Sequence, residues 1–139
     1  MAIAEGQAAR RQPLEYYPSP NAVPFDVRTP RNGTTIAAAA DWTRLAAFTV
    51  PTGAQGIFNG FGQGVSTIAD WSNVQWSVRI NGASIPGYGE IDDQISWITR
   101  PVWVVRAVQD GDLIELLCRS MSTAAATVYG RITGWYFLP

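Results

Sequence analysis

Two dipeptides, Asn81-Gly82 and Asp110-Gly111, limit most tightly what this chain can fold into. Both suit a two-residue hairpin turn, whose central positions adopt positive φ. The sequence on either side alternates with period two. In NVQWSVRING, Val74, Trp76, Val78 and Ile80 alternate with Gln75, Ser77 and Arg79. In PVWVVRAVQDGDLIELLCRS, Ile114, Leu116 and Cys118 take one face of a strand, with Glu115 and Arg119 on the other. AAATVYGRITGWYFL sets Val128, Ile132, Tyr136 and Leu138 in phase, opposite Tyr129, Arg131, Thr133 and Trp135. Successive side chains of a strand point to opposite faces, so this alternation is a strand's signature; the helical period of 3.6 fails nearly everywhere after Thr34.

Less regular stretches fit the same scheme. TTIAAAADWTRLAAF is ambiguous, its alanines favouring a helix and its threonines extended chain, and Leu45–Val50 is read as a strand. GIFNGFGQGVSTIAD carries Gly at 56, 60, 62 and 64, a density expected of a strand with a bulge or one close to another backbone. Roughly seven or eight strands in one domain call for a two-sheet β-sandwich that buries one face of each sheet. The fold class expected is all-β, most simply a jelly roll, with an immunoglobulin-like sandwich as the neighbouring alternative. The sandwich is assigned to residues 34–139.

Residues 1–33 read differently. From Tyr16 to Gly33 the sequence YYPSPNAVPFDVRTPRNG holds four of the nine prolines. Proline fixes φ, lacks an N–H and pushes its predecessor out of the helical region, which excludes a regular helix or a central strand. The segment is therefore read as an extended arm. Its Tyr16, Tyr17, Val23, Phe25 and Arg28 are the candidate contacts to a partner, because a solvated linker has no need of such residues. Two uses remain open: docking on a neighbouring molecule, or wrapping the chain's own domain to cover a sheet edge.

Composition narrows the chemistry. The ten basic residues are all Arg, and the chain has no His, so the commonest general base and metal ligand is missing. Without Lys, Schiff-base chemistry is excluded. One cysteine, Cys118, permits neither an internal disulfide nor a multi-cysteine zinc site, and its phase suits a buried packing thiol. A net charge of −1 argues against a nucleic-acid or anionic-membrane surface. No apolar run approaches the ~20 residues of a membrane span. Charges in MAIAEGQAARRQ stand where a signal peptide needs its apolar region.

The acidic groups are read as structural. Glu90, Asp92 and Asp93 lack the regular spacing of a calcium loop, and Asp110 and Asp112 are explained by turn chemistry. GFGQG lacks the following Lys and helix of a phosphate loop. No enzyme activity, cofactor or metal is expected. Of the six tryptophans, Trp76 is in phase with the core, while Trp103 and Trp135 are candidates for a surface that binds protein or sugar.

Taken in order, VPTG (50–53), the glycine-rich strand, WSVRINGASIPGYG, the Asp110-Gly111 hairpin and the closing YGRITGWYF resemble the small jelly-roll virion proteins of tailed bacteriophages. These are capsid decoration or cement proteins and related fibre-head domains, and the resemblance spans about residues 43–138. It implies a non-enzymatic protein made in the host cytoplasm and bound on the outer capsid surface. Its partner would be the major capsid protein or another virion protein, engaged through the arm, and its state a homo-oligomer, with a trimer favoured. A carbohydrate- or receptor-binding fibre head is the alternative that the resemblance leaves open.

Overall fold

The period-two segments become strands that pair in nested order. A computed structural model describes residues 21–38, 41–85, 90–92 and 99–138. Its strands are β1 (Val23–Arg28), β2 (Thr34–Ile36), β3 (Thr43–Thr49), β4 (Gln55–Val65), β5 (Val74–Ile80), β6 (Ala83–Ser84), β7 (Glu90–Asp92), β8 (Thr99–Gln109), β9 (Leu113–Ser120) and β10 (Ala126–Phe137). A 3-10 turn, Ile68–Asn73, precedes β5. All pairings are antiparallel: β1 with β10, β3 with β9, β4 with β8 and β5 with β7. The pairings β4–β10 and β5–β9 knit these into two sheets.

One sheet runs β1-β10-β4-β8, with β2 also on β10; the other runs β3-β9-β5-β6, with β7 also on β5. First strand against last, each next pair nested inside, is the winding of a jelly roll. The protein is thus an all-β, two-sheet sandwich.

Local chemistry explains the turns. Asn81 and Gly82 have φ of 55° and 81°, the positive pair that a type I′ turn needs. The Asn81 amide then ties this turn to the Asp110-Gly111 turn, donating to Asp112 and accepting from the Leu113 N–H, both at 2.9 Å. That second turn is not the expected hairpin: β8 and β9 lie in different sheets, so it carries the chain from one sheet to the other, and of its two residues only Gly111 has positive φ. The Asp112 carboxylate also accepts from the Gln109 N–H at 2.9 Å, so this acid is committed to turn structure.

Between the sheets, Phe58, Val74, Trp76, Val78, Ile114, Leu116, Cys118, Val128 and Ile132 are fully buried. Close approach of the sheets depends on Gly130. A methyl group there would stand 2.9 Å from both Leu116 Cδ2 and Leu45 Cβ of the opposite sheet.

The bulge expected in β4 lies at Asn59. The register shifts between Phe58 and Gly60 against β8, and at the matching place against β10. One extra residue resets the alternation, so Phe58 and Phe61 both point inward although three positions separate them.

The proline-rich segment corrects the expected boundary at residue 33. Val23–Arg28 is an edge strand of the sandwich, paired with β10 from Tyr136↔Val23 to Arg131↔Arg28. Pro24 rules out a strand with neighbours on both sides, but β1 has a neighbour on one side only. Phe25, expected to touch a partner, lies in the core at 6% exposure. Its ring stacks on Phe48 of β3, with centroids 4.2 Å apart and planes 1° from parallel, and so joins the two sheets. For these residues the self-covering alternative holds. Tyr16 and Tyr17 lie outside the described residues.

Candidate binding surfaces

Strand β1 brings Asp26 beside β10, opposite Thr133 in the register. Arg131, two residues along, reaches it with two parallel bonds: Nε donates to Oδ1 and Nη2 to Oδ2, both at 2.8 Å. Arg28 adds a third contact to the same carboxylate. The Arg131 bonds hold the Asp26 carboxyl below its ordinary range; partial burial opposes them and Arg28 reinforces them. The same pairing raises Arg131. Arg28, expected as a docking residue, is exposed and already engaged with its own strand. Val23, at the outer end of β1, is 45% exposed.

At the opposite edge of this sheet, β8 presents Trp103 at 78% and Val105 at 60% exposure. Two positions apart on one strand, they share a face. Across the β4–β8 ladder Gly60 pairs with Trp103 and Gly62 with Pro101. Together with Arg131 and Thr133 these residues enclose a groove of about 160 Å³. Thr133 is steadied by the bulge residue itself, its hydroxyl donating to Asn59 Oδ1 at 2.8 Å.

Trp135 does not accompany Trp103 as a surface residue. It has the same phase as Arg131 and Thr133, yet it is only 6% exposed. Its ring stacks with Phe137 at 6.0 Å, and it pairs across the ladder with Ile57, itself 8% exposed.

The other sheet carries a different cluster on its outer face. Trp42 lies under two guanidinium groups, Arg119 at 4.5 Å and Arg79 at 5.4 Å from its ring centroid. Arg119 also holds Gln75, and Arg44 pairs with Glu115 at 2.9 Å. Neither this cluster nor the Asp26–Arg131 pair was anticipated. Asp26 and Arg131 are far apart in sequence, and no local pattern announces their meeting.

Cys118 is fully buried, and burial pushes its thiol up to about 12. Glu90 and Asp92 occupy β7, at register positions beside Ser77 and Gln75, and Asp93 lies outside the described residues. Among the described residues no three acids or cysteines gather as a metal site.

Comparisons with solved structures find likenesses at low identity. The chain is similar to a protein in the acidic stable capsid structure of Helicobacter pylori bacteriophage KHP30, with 16% identity over 84% of this chain and 89% of that one, at a TM-score of 0.49. It is also similar to Eiger TNF from S. frugiperda, with 10% identity over 81% of this chain and 92% of that one, at a TM-score of 0.40. No protein-family model and no curated protein matches the chain.

Proposed function

We propose that this protein is a non-enzymatic structural component of a phage virion, a decoration or cement protein held on the outer capsid surface by the segment that precedes β1. The order of sequence signals supports this reading, as does the nested jelly roll into which they fold. One observation carries the docking role: the root of the N-terminal segment is locked. Arg131 and Arg28 hold Asp26, and Phe25 is stacked into the core, so a force on the segment meets a rigid body at the sheet's edge.

Docking then falls to residues before Val23, with Tyr16 and Tyr17 as anchors and Val23 and Arg28 at the root. Apolar side chains of this size seated in a partner's pockets are the usual source of interface energy. Several copies in one assembly, a trimer in the simplest case, would multiply a weak single contact. The major capsid protein is the partner proposed.

The test is co-sedimentation with capsids assembled without this protein. The intact chain should bind saturably, and a Tyr16→Ala, Tyr17→Ala double variant should bind at least ten-fold more weakly. Failure of the intact chain to sediment with capsids contradicts the reading.

A further inference from the structure

The groove beside Trp103 crosses the outer face of its sheet from edge strand β8 over β4 to Arg131 and Thr133 of β10, and the docking reading assigns it no ligand. Its volume of about 160 Å³ is well below the ~300–1,000 Å³ of sites that enclose drug-sized ligands. It therefore holds one ring-sized group.

The three sides of the groove differ in chemistry. The floor is Gly60 and Gly62, which lets a ligand lie against the backbone. One wall is the Trp103 indole, 78% exposed on a strand rather than on a mobile loop. Its edge stands close to the floor, with Cε3 3.8 Å from where a Gly60 side chain would begin. The other wall is Arg131 with the Thr133 hydroxyl.

Arg131 is preorganised. Asp26 takes one N–H from Nε and one from Nη2, leaving three of the five guanidinium donors without a partner among the described residues. The fork that remains suits a carboxylate bidentately. Local charge agrees: Arg28 and Arg131 set against Asp26 leave a surplus of one positive charge beside the groove.

A flat aromatic wall, a floor without side chains and a fixed Arg fork describe a site for a saturated ring bearing an acid. We propose that this groove binds a pyranose unit carrying a carboxylate, its apolar face on Trp103 and its carboxylate on Arg131. A nucleotide could stack on the same indole, but its phosphate carries about two negative charges, against the surplus of one positive charge beside the groove.

The test titrates the full chain with oligosaccharides of glucuronic acid, with neutral glucose oligosaccharides and with a mononucleotide, by calorimetry. The expected result is binding of the acidic sugar alone, weakened at least ten-fold by Trp103→Ala and several-fold by Arg131→Lys, which keeps the charge and loses the fork. Circular dichroism checks that each variant is folded, and added salt should weaken the acidic sugar's binding. No binding of the acidic sugar at millimolar concentration, equal binding of glucose, tighter binding of the nucleotide, or affinity unchanged in Trp103→Ala overturns the proposal. None of these outcomes bears on capsid docking.

Discussion

The ring of Phe25 occupies the space that a side chain at Gly134 would need. The two residues face each other across the β1–β10 ladder, and a methyl group built on Gly134 would stand 2.3 Å from Phe25 Cζ. It would also stand 2.2 Å from the Ile57 carbonyl oxygen. The first clash is with a ring and the second with backbone, so removing the ring relieves only one. Phe25→Ala should cost about 3–5 kcal/mol, as truncation of a buried Phe does. Gly134→Ala should destabilise strongly, and Phe25→Ala should not rescue it in the double variant. Urea unfolding of the three variants measures both effects.

Gln63 is a polar residue in an apolar place. It is 2% exposed, and neither its amide nitrogen nor its oxygen has a hydrogen-bond partner among the described residues. An unsatisfied buried amide carries a desolvation penalty of about 1–3 kcal/mol. Gln63→Met keeps the length and removes the polar atoms, so it should raise the urea midpoint. A lowered midpoint would mean that the amide has a stabilising role in this core.

The Asp26–Arg131 pair gives stability a dependence on pH. Folding lowers the Asp26 pKa below its ordinary 3.8, so the native state favours the ionised form. That stabilisation is present above the unfolded value and is lost as pH falls through the folded one. Asp26 is 35% exposed, so solvent screening keeps the effect small. Asp26→Asn should lower stability at pH 7 and bring the variant closer to the parent as the solution is acidified below pH ~4. Thermal unfolding from pH 7 to pH 2.5 gives both curves.

Cys118 should be inert in the native protein. Reaction needs the thiolate, and burial raises the thiol pKa to about 12. A thiol-specific aromatic disulfide reagent at pH 8 should therefore react only as fast as the chain unfolds. Reaction within the mixing time would show that the sandwich opens around β9.

Much of this fold was legible because its signals are local. Asn81-Gly82 requires its hairpin turn whatever surrounds it, and the alternation of Val128 and Ile132 fixes which face of β10 is buried. Asp110-Gly111 marks a turn, but a local signal cannot say that the chain there passes from one sheet to the other instead of doubling back as a hairpin. The glycines of β4 announced a bulge, and two of them, Gly60 and Gly62, form the groove floor. What local pattern could not supply was burial on an outer face. Trp135 was correctly phased opposite Ile132, yet it is covered. Strand β1 was missed because its prolines speak against a ladder, while an edge strand has only one neighbour to satisfy. The Asp26–Arg131 pair joins the two ends of the chain, which only the nested pairing brings together.

The most direct measurement compares two truncations, one starting at Val23 and one at Thr34, for thermal stability and for binding to capsids assembled without this protein. The account predicts that the chain starting at Val23 unfolds close to the parent temperature but no longer binds. The chain starting at Thr34, deprived of Phe25 and Asp26, should fail to fold stably. Undiminished capsid binding by the chain starting at Val23 would contradict the docking role assigned to the preceding segment, and a stable fold starting at Thr34 would contradict the place given to β1.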